Sequence, residues 1–537
     1  MKTLPLGLGR EKLFLSVLSG VFLTAGFPLT GISLASWFAL SFLLVALRDT
    51  PPRQSFFLGL AAGSVHYMTL LYWLVSTINI YGYLPLWLSV VIFIPLAFYL
   101  SLYIGVFAWL VSFAGGSPGI ALVLVPCGWV CLEYLRSFMF TGFPWGLIGY
   151  TQANSLPIIQ IADLFGVYGV SFILVFASGV IGFAWMHARG LAWKGRMVGR
   201  LTAAVYVSLL TGVMIVVWSY GMIRIGSMDK MIAESGTVNV GVIQGNIDQS
   251  EKWDRAFRES IISTYIRLSE QAARSKSLDL VIWPETSAPF YFNYDETLTE
   301  MVLQGIGNMG PDFIIGSPTV EFSGPDDFYY NSAYLISPNG EVAGRVDKVH
   351  LVPFGEYVPF RKWLPFISPM VEQVGEFKTG RIGDTLAWPP ADIGVLICYE
   401  IIFPELAAHM VENGAGLLVN ITNDAWFGNT GAPWQHFDMA VFRAVENRRA
   451  VIRAANTGVS GWIDPAGRVA AASGLFVEAA LTGTVPVVKN FKTFYTRHGD
   501  LLVLCCFIAI LGIVMVSIVE SKKRTGGWFH PEGLYNK

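Results

Sequence analysis

Charge is scarce in this 537-residue chain: Asp, Glu, Lys and Arg make up 14% of it, where soluble proteins carry about 25%. Lys and Arg number 36 against 38 Asp and Glu, a net charge of −2, so there is no basic excess with which to bind nucleic acid. Cysteine is sparse as well, and five residues at irregular spacing cannot staple a disulfide scaffold. There is no P-loop, no HExxH and no paired CxxC, and His350, His409 and His436 lie far apart. Neither a metal nor another cofactor is therefore expected. Gly305–Gly310 fits G-x-G-x-x-G, but it ends an expected helix and precedes Pro311, the reverse of a dinucleotide fingerprint, which follows a strand and opens a helix. What abounds is hydrophobicity. It reaches 53% of residues with a mean hydropathy of +0.53, which excludes a disordered chain and argues against an ordinary soluble enzyme.

The charge is also unevenly spread, with long stretches before residue 225 nearly free of it. A spanning helix needs about 20 apolar residues. Eight segments qualify as candidates: Leu13–Pro28, Ile32–Leu47, Phe56–Ile78, Leu84–Phe113, Ile120–Phe138, Leu164–His187, Leu201–Ile223 and Leu501–Val519. Arg10 and Lys12 precede the first, but no small-residue cleavage site follows, so it is expected to be a retained helix rather than a signal peptide. Lys and Arg fall in alternate loops: Lys2, Arg10 and Lys12; Arg48 and Arg53; Arg189, Lys194, Arg196 and Arg200; Lys522, Lys523 and Arg524. By the positive-inside rule both termini lie in the cytoplasm and the charged segment between the last two spans lies outside, in the periplasm of a bacterium. The expected organisation is a seven-helix region over 1–225, an α/β domain over 236–488, an eighth helix over 499–520 and a cytoplasmic tail over 521–537. Ionisable residues inside the helices are few. Glu133 and Arg136 read either as an ion pair at a helix end or as substrate contacts near the outer face.

The soluble segment alternates strand and helix patterns. Strands are expected at Val238–Gln244, Leu278–Trp283, Asp312–Thr319, Ile393–Cys398, Leu417–Thr422 and Val451–Ala455, with hairpins at Ser332–Val349 and Ser460–Ala471. Helices are expected at Gln249–Ala273, Thr297–Gly305, Pro404–Asn413 and Trp434–Arg449. This is a layered α/β domain with a mixed sheet.

Its only cysteine, Cys398, closes the apolar strand Gly394–Ile397, and strand ends of open α/β sheets are where ligand sites gather. Alone, such a residue reads most simply as a small buried hydrophobe. A free thiol on the oxidising side of a membrane is a liability unless it is used, and to be used it needs a base or a cation. Glu285 closes Val281–Ile282–Trp283–Pro284, where burial is expected to raise its proton affinity. Lys348 ends a hairpin strand. Each alone reads as a surface residue; together the three offer a nucleophile, a base and a cation.

Trp283–Pro284–Glu285, Asp347-Lys348-x-His350-Leu351-x-Pro353-Phe354-Gly355-Glu356 and Ile397–Cys398–Tyr399–Glu400 resemble the three catalytic signatures of the nitrilase superfamily. The spacings, 63 residues from Glu285 to Lys348 and 50 more to Cys398, are similar too. The likeness extends through Asn423–Phe427 and Asn456–Gly458, and Gln244–Ile247 with Trp253 and Cys398–Pro404 resemble its apolipoprotein N-acyltransferase branch. The resemblance implies a four-layer αββα sandwich carried by a bundle of eight spans in the bacterial inner membrane. It further implies that Cys398 takes an acyl chain from a phospholipid as a thioester and passes it to the α-amino group of a diacylated apolipoprotein. In that scheme Glu285 moves the protons, Lys348 faces the oxyanion and Glu356 orients Lys348. Trp253, Asn331, Tyr399, Glu400 and Trp426 support or shape the pocket. A monomer is expected.

A lipid substrate makes physical sense of the bundle, because drawing an acyl chain into water costs about 0.8 kcal/mol per CH₂. The apolar segment Pro359–Gly380 reads either as a lid dipping into the outer leaflet or as a packed loop. Two other functions compete: a membrane-tethered amidase cleaving a small periplasmic amide, and a transporter or receptor whose outer domain only binds ligand. The second requires the three strand-end residues to be accidental.

Overall fold

The structure is a computed structural model, and it describes residues 9–307, 309–323, 326–357 and 377–524. Most of the expected lid, Pro359–Gly380, lies outside those residues.

Long apolar runs without helix-breaking pairs become helices. Among the described residues five are long and apolar enough to cross a bilayer: Leu86–Ala114, Pro118–Phe138, Ala162–Ala188, Arg200–Glu234 and Leu501–Glu520. A sixth arises if Pro52–Leu70 and Trp73–Tyr81, bent by 52°, count as one span. The first two expected spans are shorter. Arg10–Ala25 has 16 residues, a rise of about 24 Å, and Ile32–Leu47 forms a 3₁₀ turn, Ser33–Trp37, and a helix, Ala39–Leu47. The seventh expected helix overshoots the boundary at 225 and continues to Glu234; its 35 residues rise about 52 Å. That is more than the roughly 30 Å hydrocarbon layer needs, and the overhang is pinned to the α/β half by Asp229 and Arg468, 2.7 Å apart.

Glu133 and Arg136 are buried, and both also bind the backbone that follows their helix. Glu133 accepts the Ile148 N–H at 2.8 Å, and Arg136 donates to the Phe143 and Trp145 carbonyls at 2.9 and 2.6 Å. Both fold the connection after their helix, which itself contains the 3₁₀ turn Ile148–Gln152 and the short helix Leu156–Ile159. The backbone there is buried, and buried backbone groups need partners, which these side chains supply.

The α/β half holds two mixed sheets. Six strands run in the order Ala479–Val487, Gly236–Gln244, Leu280–Ile282, Asp312–Ser323, Asp326–Ile336, Val342–Asp347; five run Val469–Ala472, Gly461–Ile463, Ala450–Ala455, Leu417–Thr422, Ile393–Ile397. Between the sheets lie the alternate side chains of their strands, among them Val240, Ile282, Val395, Val419 and Ile452. Helices Arg258–Ser275 and Glu296–Ile306 cover the outer face of the six-stranded sheet, and Pro404–Glu412 and Ala432–Asn447 that of the other, which completes an αββα sandwich. Three expectations need correction. The helix Gln249–Ala273 breaks into Gln249–Lys252, Arg255–Phe257 and Arg258–Ser275, because Asp248 and Asp254 turn their carboxylates onto the N–H groups of Ser250 and Ala256 and start new turns. The hairpin expected from Ser332 begins at Asp326, and that strand pairs with Phe313–Ser323 of its other neighbour. Strand Ala479–Val487, antiparallel to Gly236–Gln244, was not expected.

The two halves share one core. Phe437, Val441 and Val445 of the outer helix Ala432–Asn447 belong to the same buried cluster as Ile159, Val167 and Val170 of the helical half. At their junction Asp163 accepts Arg448 Nη2 at 2.8 Å, Arg224 Nε at 2.5 Å and the Tyr220 hydroxyl at 2.6 Å.

Candidate active site

Parallel strands carry their C-terminal ends to one edge, and Glu285, Cys398 and Asn423 follow three of them: Leu280–Ile282, Ile393–Ile397 and Leu417–Thr422. Lys348 enters from the end of Val342–Asp347, and Asn331 from the neighbouring strand. Lys348 Nζ lies 3.5 Å from Glu285 Oε1 and 3.0 Å from Glu356 Oε1. The Asn331 amide donates to both carboxylates at 2.8 Å. The remaining carboxylate oxygens are held by backbone: Glu285 Oε2 accepts Asn423 N–H at 3.0 Å and Glu356 Oε2 accepts Val352 N–H at 2.8 Å. All of these side chains are buried, as is Cys398.

Cys398 opens the 3₁₀ turn Cys398–Ile402 with φ +54°, left-handed backbone that costs a non-glycine residue about 1–3 kcal/mol and persists only when the surroundings over-determine it. Glu400 is what over-determines it. Its carboxylate accepts Ile397 N–H at 2.7 Å from one side of the turn, and Val349 and His350 N–H at 2.5 and 3.0 Å from the other. The same residue thus fixes the loop after Lys348 to the turn bearing Cys398. Asn420 Nδ2 adds a hydrogen bond to the Leu396 carbonyl at 2.8 Å.

The electrostatics define the resting state. Burial pushes the Cys398 thiol up, and the Glu285 carboxylate pushes it further against the opposing pull of Lys348, to about 12. Glu285 behaves opposite to the sequence expectation. Burial raises it, but Lys348, the Asn331 amide, Lys252 and a hydrogen bond with the Cys398 thiol outweigh burial and leave it below the ordinary carboxylate range. Burial draws Lys348 down, and Glu356, Glu285 and Cys398 more than reverse that. At neutral pH the site therefore holds a thiol, a carboxylate and an ammonium.

The other residues picked out in the sequence divide into two groups. Asn331, Glu356 and Glu400 join the cluster as described. Tyr399 turns toward the helical half, its hydroxyl 3.5 Å from the Gly142 carbonyl. Trp253 is 46% exposed and Trp426 37%. Trp426 packs on Tyr81, with ring centroids 4.7 Å apart, and its carbonyl accepts the Thr77 hydroxyl at 2.7 Å. The bent-off helix Trp73–Tyr81 thus sits on the turn Asp424–Phe427 beside the site. Sequence reasoning missed three contributors. One is Lys252, buried, with Nζ on the Glu285 carbonyl at 3.0 Å, within the stretch expected as one long helix. Another is the Asn423 backbone N–H, for which no side-chain signal exists. The third is the buried set Asp424, His436 and Arg453 (Arg453 Nη2 to Asp424 Oδ2 2.6 Å, His436 Nδ1 to Asp424 Oδ1 3.1 Å), which fixes the turn after Asn423.

Two family models match the chain: the apolipoprotein N-acyltransferase N-terminal domain over residues 19–181 and the carbon-nitrogen hydrolase over 239–489. The apolipoprotein N-acyltransferase of Geobacter metallireducens is 42% identical over 519 residues, 96% of each chain. That of Methylococcus capsulatus is 32% identical over 508 residues, 94% of this chain and 95% of its own. With both halves matched and identity of that extent along nearly its whole length, the chain belongs to the apolipoprotein N-acyltransferase family.

Proposed function

We propose that the chain is an acyltransferase working by a two-stage thioester cycle, with Cys398 as nucleophile, Glu285 as proton carrier and Lys348 as the cation facing the oxyanion. The acyl donor is a phospholipid. As Cys398 attacks the ester carbonyl, the S–H proton passes to Glu285 and a C–S bond forms. Negative charge collects on the former carbonyl oxygen, where Lys348 stabilises it; a preorganised donor of this kind supplies about 3–4 kcal/mol of transition-state binding. Collapse breaks the ester C–O bond, and the lysophospholipid oxygen leaves with the proton from Glu285. In the second stage the α-amino group of a diacylglyceryl-cysteine on an apolipoprotein attacks the thioester, Glu285 takes its proton, the C–N bond forms and the C–S bond breaks, and Glu285 passes the proton to the departing sulfur to restore the thiol. Trp253, Tyr399 and Trp426 shape the entrance and Asn331, Glu356 and Glu400 hold the charged groups.

The observation that carries a lipid substrate is the docking of the site edge on the apolar half: Tyr399 on Gly142, Trp426 on Thr77 and Tyr81, and a common core beneath. A small amide needs no such support, whereas an acyl chain must stay at bilayer level throughout its transfer. In this reading 1–225 and 499–520 form eight spans of the bacterial inner membrane, 236–488 is the catalytic domain in the periplasm, both termini and the tail 521–537 are cytoplasmic, and the enzyme acts as a monomer.

Incubating purified protein with phospholipid, then with a diacylated lipopeptide, tests it by mass spectrometry. The expected result is an acyl adduct on Cys398 that lipopeptide discharges. An adduct removed by water alone supports an amidase or lipase instead, and no adduct a binding protein.

A further inference from the structure

Lys252 has no task in the cycle just described, yet it is only 1% exposed. It ends the four-residue helix Gln249–Lys252, and its ammonium donates to the backbone carbonyl of Glu285 at 3.0 Å. Among the described residues it forms no ion pair, so its one hydrogen-bond partner is a neutral oxygen. A buried ammonium without a paired carboxylate is costly, and such a group is held for a purpose other than stability. The same helix reaches Glu285 by a second arm. Gln249 Oε1 accepts the Asn423 side-chain amide at 2.6 Å, and the Asn423 backbone N–H donates to Glu285 Oε2 at 3.0 Å. One short helix therefore grips Glu285 by its carbonyl and, through Asn423, by its carboxylate.

We propose that Lys252 is a positioning residue for Glu285, pinning its backbone and adding to Lys348 a second positive charge that keeps the carboxylate ready to take the thiol proton. The inference rests on the acyl-transfer reading. The groups facing Glu285 are Lys348 with Glu356 behind it, the Asn331 amide, the Asn423 N–H and the Cys398 thiol. Asp424 acts further off, on Cys398. Of the cations in this set Lys348 is paired with Glu356, while Lys252 has its charge uncommitted. Burial draws Lys252 down to about 8, against the pull of Glu285 and, once it ionises, Cys398, so its charge is present at neutral pH, where the Glu285 carboxylate supports it.

The test is the pH dependence of single-turnover thioester formation on Cys398 from phospholipid vesicles, in wild type, Lys252→Met and Lys252→Arg. Removing a cation makes the Glu285 carboxylate easier to protonate, so the acid limb moves to higher pH. In Lys252→Met the limb should shift up by about one pH unit and the rate at a given pH on that limb fall about tenfold, with Lys252→Arg keeping the wild-type limb. A rate loss uniform in pH, or no change, overturns the proposal and leaves Lys252 a packing residue. A wild type that forms no adduct overturns the acyl-transfer reading itself, and the proposal with it. If Lys252→Met does not fold, Lys252→Gln makes the same comparison. Alkylation of Cys398 by iodoacetamide gives a readout free of turnover: without the cation the thiol ionises less readily, and alkylation at a given pH should slow. Unchanged alkylation would overturn the proposal.

Discussion

Buried ionisable side chains occur in both halves of the molecule, and they are used differently. In the helical half Glu133 and Arg136 turn to backbone groups of the connection that follows them, and at the junction Asp163 is shared by two arginines and a tyrosine. Most of their polar atoms are met by fixed partners, Glu133 Oε2 being the exception among the described residues. At the strand ends of the α/β half, Glu285, Lys348 and Glu356 meet one another and a thiol, while among the described residues Lys252 stands nearby without a counter-ion and Asn331 Oδ1 has no hydrogen-bond partner. Charge that is complete in the resting state serves folding, whereas charge left incomplete can respond when a reaction creates more of it.

The largest expected effect tests that division at its centre. Cys398→Ser should lower acyl transfer by about 10⁴- to 10⁶-fold, the range seen when a catalytic nucleophile is removed, while thermal unfolding shifts little. Substantial residual turnover in Cys398→Ser would place the chemistry on another group. Glu285→Gln comes next and separates two quantities that usually move together. Loss of the proton carrier should cost about 10²- to 10⁴-fold in thioester formation. Yet the carboxylate is also one of the groups holding the thiol at about 12, so its neutralisation lets sulfur ionise more easily. Alkylation of Cys398 at mildly alkaline pH should therefore speed up in Glu285→Gln even as acyl transfer falls. If both rates fall together, Glu285 does not act on the thiol electrostatically.

The strand ends were legible in the sequence because apolar runs stop where a strand meets the site, leaving Glu285 and Cys398 conspicuous behind Val281–Trp283 and Gly394–Ile397. The sign of the Glu285 shift was not legible. Burial alone predicts a weak acid, and the cations that reverse it arrive from residues 252 and 348, at distances that only the folded chain defines. The left-handed φ of Cys398 and its tether through Glu400 are equally invisible, since the three N–H donors come from residues 349, 350 and 397. In the helical half apolar runs announced the helices, but the 52° bend before Trp73 follows from docking on the turn Asp424–Phe427, some 350 residues on. Strand Ala479–Val487 has a weak pattern, Ala-Ala-Leu-Thr-Gly-Thr-Val-Pro-Val, and owes its existence to the partner strand Gly236–Gln244.

Breaking the junction should produce the converse of the active-site variants. Asp163→Ala strands Arg448, which is fully buried, and removal of one partner of a buried pair costs about 3–5 kcal/mol. The expected outcome is a marked fall in the unfolding midpoint, with thioester formation per folded molecule unchanged at low temperature. A normal midpoint with lost chemistry would mean that the junction transmits something to the site rather than merely holding the halves together.

The smallest effect isolates burial from distance. Arg267 and Glu478 lie 2.7 Å apart with side chains 55% and 48% exposed, and Arg448 and Asp163 lie 2.8 Å apart with both at 0%. Geometry ranks these pairs as equals. Solvent does not: around the first pair water screens the attraction and hydrates either partner left alone, so an exposed pair contributes about 0–1 kcal/mol. Arg267→Met should shift stability by less than about 0.5 kcal/mol, within the scatter of a thermal melt, and should leave acylation untouched. A loss approaching that of Asp163→Ala would show that separation, not desolvation, governs what a charge does in this protein, and the distinction between finished and unfinished charge would lose its basis at the active site as well.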